Sequence, residues 1–182
     1  VEKGVNIIID GLVLDKTKKV GSMRPVPGVD ANSSSQVTYA RLEYSYKKVT
    51  RMDTSVLGWN AQALKAAKLA GSKNPKLKTA IAQVLNGLMY AQDRQTGQFR
   101  YSDAKSHGGG SPAMTGVGVL CLQLLGNGKT PEVSAGLKTL QDVPVSFKNS
   151  GGKLYSYYYI TQAMFHEGKS SWSKWNNKFA PV

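Results

Sequence analysis

Residues 112–126 read PAMTGVGVLCLQLLG, and the reading of this stretch decides the fold class. It is apolar on nearly every side and long enough for three turns or more. It therefore reads as a helix buried all round, ended by Gly126. The next stretch, TPEVSAGLKTLQD at 130–142, carries Pro131 in its first turn and reads as a half-exposed helix. A buried helix followed by a wet one is a pair that cannot bury its inner member alone.

The same alternation extends outward in both directions. Asp53 is a good N-cap for TSVLGWNAQALKAAKLA, which Gly71 stops. The small residues Gly58, Ala61, Ala63, Ala66, Ala67 and Ala70 permit close helix–helix approach. Asn74 caps the next helix, and Pro75 sits in its first turn. There Leu77, Ile81, Val84, Leu85 and Leu88 form one stripe opposite Lys76, Lys78, Thr79, Gln83 and Asn86, which predicts one wet face. On the C-terminal side YSYYYITQAMFHEG, at 155–168, reads as a third helix of the buried kind, followed by a tail with Trp172 and Trp175. At the start of the chain Val1, Val5, Ile8, Ile9 and Leu12 have helical spacing, although Ile7–Ile9 would also suit a strand. Residues 16–36 read as a long loop, and RLEYSYKK at 41–48 as extended chain.

Two of the buried segments match in pattern. SVLGWNAQAL opens at Ser55 and SPAMTGVGVL at Ser111, and a third unit aligns Ala163–Met164 with Val119–Leu120. Recurrent two-helix units of this size predict a helical repeat array.

Charge and cysteine usage narrow the chemistry. The net charge of +13 attracts anionic polymers and surfaces over long range. Its carriers are scattered lysines with only five arginines, and no Arg–aromatic tract occurs, so specific nucleic-acid binding is not expected. No run of 18 apolar residues is present, which excludes a helical membrane span of the usual kind. One cysteine, Cys121, excludes an internal disulfide and a multi-cysteine zinc site.

The wet helix running into AQDRQTGQFRY at 91–101 places Gln92, Gly97 and Phe99 at a spacing that resembles the repeat of squalene–hopene cyclases and protein prenyltransferase β-subunits. With DTSVLGW, AMTGVGVLCLQLLG and YYYITQAMFHEG in that order, the stretch from Leu42 to Asn176 resembles bacterial prenyltransferase/squalene-oxidase-repeat proteins of the terpenoid-cyclase α/α-toroid superfamily. Residues Val1 to Arg41 match less well. The resemblance implies an all-α fold, an α/α-toroid-type array of inner and outer helices in a single domain over 1–182. Inner helices are expected near 53–70, 112–125 and 155–167, and outer helices near 1–14, 75–91 and 131–142. Five or six helices amount to about half a toroid: a fragment of a longer chain, an open array, or a protomer that pairs. The resemblance also implies that the Gln and the aromatic tie the loop between repeats to the adjacent helix.

The family's chemistry is not expected to survive. Its cyclases protonate an alkene with the central Asp of Asp-x-Asp-Asp-Thr, and the matching stretch here is TRMDT. Thr50 and Met52 replace the first and the central Asp, and a thioether donates no such proton. Asp53 remains, as a cap. A prenyltransferase-type zinc site would need Asp, Cys and His together, yet Val119 stands two residues before Cys121. His107 falls in a Gly-rich loop, and His166 at a helix end. Gly108–Gly110 have neither a preceding strand nor a following Lys-Ser/Thr, so they read as a flexible linker rather than a phosphate loop. No metal and no cofactor is expected.

The remaining candidates are Asp53, Trp59, Tyr157, Tyr158 and Tyr159, as ligand-binding residues on a concave face, with no catalytic residue among them. The tyrosines have an alternative role, packing between helix layers. The sequence thus leads to a non-catalytic binding or interaction module. The alternative is part of a cyclase- or transferase-like enzyme acting on an isoprenoid or lipid-like substrate. Expected partners are a protein, a second copy completing the toroid, or an apolar or glycan ligand. The resemblance to bacterial proteins with export signals leans toward an extracytoplasmic location.

Overall fold

The computed structural model describes residues 1–19, 36–44, 47–50, 53–102, 109–148 and 153–181. Contacts among them gather into two compact units. The first comprises Val1–Ala91 with Ser102, and the second Gln92–Tyr101 with residues 109–148 and 153–181. Helices predominate in both.

In the first unit, helix α1 (Glu2–Gly11) leads into strand β1 (Leu12–Lys19), and strands β2 (Gln36–Tyr44) and β3 (Lys47–Thr50) precede helices α2 (Thr54–Leu69) and α3 (Leu77–Ala91). The strands form one antiparallel sheet in the order β1-β2-β3. Leu12 pairs with Ala40, Leu14 with Thr38, and Leu42 with Val49. This sheet corrects the all-α expectation for the N-terminal region. The helix expected near 1–14 ends at Gly11, because Leu12–Leu14 pair with Thr38–Ala40 in an antiparallel ladder. The extended reading of 41–48 agrees with β2 and β3. Of the expected loop, residues 16–19 belong to β1, and 20–35 lie outside the described residues, as do Met52, His107 and Gly108.

Asp53 opens α2 as a cap. Its Oδ1 accepts hydrogen bonds from the Ser55 and Val56 N–H groups at 3.0 and 3.1 Å, and from the Ser55 hydroxyl at 2.6 Å. Leu57, Ala61, Leu64 and Ala67 bury one face of α2, while Trp59 and Leu69 stay exposed. The wet face expected of helix α3 is only partly present. Lys76, Lys78 and Thr79 are exposed, but Asn86 is buried, and so is every residue from Val84 to Met89. Both α2 and β2 pack against α3, so it is covered by more than one element. At the base of the unit the Glu2 carboxylate accepts from the Ser72 hydroxyl and the Lys73 N–H, both at 2.9 Å. These two bonds hold the carboxyl below its usual range, the backbone donor contributing most.

In the second unit, α4 (Pro112–Leu122) lies against α5 (Pro131–Gln141) and α6 (Lys153–Glu167), and α6 against α7 (Lys169–Phe179). Every α4 residue from Met114 to Leu122 is buried, in agreement with its all-round apolar character. Gly116 allows α6 to come so close that an added Cβ would stand 3.0 Å from the Ile160 nitrogen. Beyond Leu122 the helix widens into a π-turn, Gln123–Asn127, and breaks at Gly126, whose φ of 94° suits glycine. Helix α7 is fastened from both sides. Trp175 is buried and its indole N–H donates to the Thr161 hydroxyl at 2.9 Å. The Lys178 ammonium donates to the Gln141 and Val143 carbonyls, both at 2.6 Å, and lies over the Trp175 ring.

Candidate functional site

The second unit contains the turn that the repeat spacing singled out. Asp93 organises it: its Oδ1 accepts from the Gln95 and Thr96 N–H groups at 2.8 and 3.1 Å, which keeps the carboxyl below its usual range. Gly97 has φ +75°, and an added Cβ would meet the Ala135 carbonyl oxygen at 2.9 Å, so only glycine fits. The side-chain amide of Gln92 donates to the Gly97 carbonyl at 2.9 Å and to the Glu132 carbonyl, in the first turn of α5, at 2.8 Å. Phe99 is fully buried with its ring against Gly118 of α4. Its N–H donates to the Thr115 hydroxyl, which donates in turn to the Ser111 carbonyl. One glutamine and one phenylalanine thus fix the turn to two helices.

Gly110, expected in a flexible linker, instead bridges to Arg100 in antiparallel fashion, and a Cβ there would collide with Gln98. The linker reading fails for this residue because the chain folds back along the turn.

The five candidate residues do not form one cluster. Asp53 and Trp59 belong to the first unit, the three tyrosines to the second. Asp53 is 1% exposed and engaged as a cap, and Trp59 is exposed. Tyr157 and Tyr159 are buried, and Tyr158 between them is exposed. The Tyr157 hydroxyl accepts from the Ser146 N–H at 3.0 Å, and its ring packs edge-on against Phe147 and Phe179. That is the packing role, with the hydroxyl paired at the layer's edge.

A groove of about 660 Å³ opens elsewhere on this unit. The exposed side of α5, the π-turn after α4, and the junction of α6 with α7 form its walls. Val133 and Leu137 lie at its floor, Ser134, Gln141 and Ser171 line it, and Lys129, Lys138 and Lys169 surround it. Glu167 is the one carboxylate among its described lining residues, and His166 lines it beside Glu167. Two polar atoms of the wall, Gln123 Oε1 and Thr130 Oγ1, are buried without a hydrogen-bond partner among the described residues. Such atoms are uncommon in folded proteins and each calls for a cause.

No family model, curated protein or solved structure matches this chain.

Among the described residues no three of His, Cys, Asp and Glu gather as metal ligands. No helix among them is long and apolar enough to cross a membrane. Burial pushes the Cys121 thiol up to about 12, so it is a core residue and not a nucleophile at neutral pH. The groove residues were missed at the sequence level. The signal that could have found them is the polar spacing of Ser134, Lys138 and Gln141, three positions on one face of α5.

Proposed function

We propose that the chain is a non-catalytic binding module built from helix-pair repeats of the toroid type. The observation that carries this reading is the double hydrogen bond of Gln92 to the Gly97 and Glu132 carbonyls, with Phe99 buried beside it. This supports the reading, because the repeat resemblance implies a tie between loop and adjacent helix. Its pairing of α4 with α5 and α6 with α7 fits a repeat array, in which each unit presents surface instead of enclosing a reaction chamber. Asp53, the residue of the acidic motif that this sequence retains, uses its carboxylate as a helix cap. A cyclase needs a strong, preorganised acid in a site closed to water.

Incubation of the purified chain with squalene, followed by mass spectrometry of the extract, tests the reading. The expected result is no cyclic product above a protein-free blank. Cyclic product would overturn it in favour of the enzyme reading, which the exposed apolar residues Leu154, Tyr158 and Phe165 on α6 favour as a surface for an isoprenoid chain.

A further inference from the structure

We infer that the groove on the second unit binds an acidic, extended peptide segment of a partner protein. The inference rests on the binding-module reading and names its ligand class. Charge complementarity is the first argument. Lys129, Lys138 and Lys169 surround the groove, Glu167 alone opposes them in its lining, and the +13 charge of the chain attracts an acidic partner from a distance.

The uncharged lining selects a peptide among polyanions. Gln141, Ser134 and Ser171 offer both donors and acceptors, which suits the alternating N–H and C=O groups of an extended backbone. Val133 and Leu137 give an apolar side chain of the ligand a floor. Among the described lining residues there is no Arg to grip phosphate in a two-pronged fork, and His166 is the single ring on which a base could stack. Nucleic acid is therefore the poorer occupant.

The test is fluorescence anisotropy with a labelled peptide of repeated Glu-Leu-Glu-Ser, against the same peptide with Gln for Glu. Binding of the acidic peptide is expected, weakening with salt. The double variant Lys138→Glu/Lys169→Glu should lose about tenfold or more in affinity, as expected when like charges replace a complementary pair. Lys3→Glu/Lys78→Glu carries the same change in net charge on exposed positions of the first unit and should bind nearly as wild type. Circular dichroism confirms that both variants are folded. All four positions are exposed, so folding should persist. Equal losses in both variants would show attraction to net charge alone and overturn the assignment. Equal binding of the Gln peptide, or no binding of the acidic one, would overturn it as well. So would a single-stranded oligonucleotide that binds tighter and depends on the same two lysines. None of these outcomes bears on the squalene experiment, so failure of the groove and failure of the binding-module reading stay distinguishable.

Discussion

At the scale of single residues, two side chains state most about the molecule. Gln92 is buried and donates to two carbonyls that lie far apart in sequence. Gln92→Leu keeps the bulk and removes both donors, so two carbonyls lose a buried partner. The expected cost is about 1–3 kcal/mol, measured as a lower urea midpoint with unchanged slope. A midpoint equal to wild type would mean that the turn holds without the glutamine. Cys121 makes the opposite statement, of chemical silence. Its thiol is buried and shifted up to about 12, so a thiol-specific reagent at neutral pH should label it only after denaturant is added. Rapid labelling of the native protein would show that α4 is open to solvent. Both roles could be read from sequence, for different reasons. An apolar run around a lone cysteine specifies core by composition alone. The glutamine's role is what the resemblance of Gln92, Gly97 and Phe99 to the toroid-type repeat implies, and a local motif carries that resemblance without knowledge of distant contacts.

At the scale of elements, close approach decides the packing. Gly118 of α4 receives the ring of Phe99, and no room is left for a Cβ. Gly118→Ala should therefore destabilise the protein by about 1–3 kcal/mol, as overpacked cores do. Phe99→Leu should recover part of that loss in the double variant, because the smaller side chain vacates the space. Additive losses in the cycle would mean that the two positions do not touch. Helix bounds were readable where caps and breakers mark them, as with Asp53 before α2, Gly71 after it, and Pro131 in the first turn of α5. What could not be read is the sheet. Its strands pair residues far apart in the chain, such as Leu12 with Ala40, and pairing partners leave no local signature. Asn86, which helical periodicity alone assigns to water, is buried as well. The groove was illegible for a related reason. It exists only where the exposed side of α5 and the junction of α6 with α7 meet the π-turn, three segments that no spacing rule connects.

At the scale of the whole molecule, stability in the second unit depends on a helix with no wet face. Leu120 is 0% exposed in the middle of α4. Leu120→Asp would bury an unpaired carboxylate and should cost about 3–5 kcal/mol, comparable to the full stability of an ordinary domain. Loss of helical circular dichroism is the expected result, and an unchanged melting curve would contradict the burial of α4. The Gln92 tie has a further consequence at this scale. Its two side-chain amide protons are held by carbonyls on either side of the turn, one of them in α5. Both bonds break when the turn and the first turn of α5 separate. The protons' exchange with deuterium should thus be as slow as that of the α4 backbone amides, and a surface glutamine such as Gln95 would exchange orders of magnitude faster. A side chain at a loop would then report the opening of the helical core behind it.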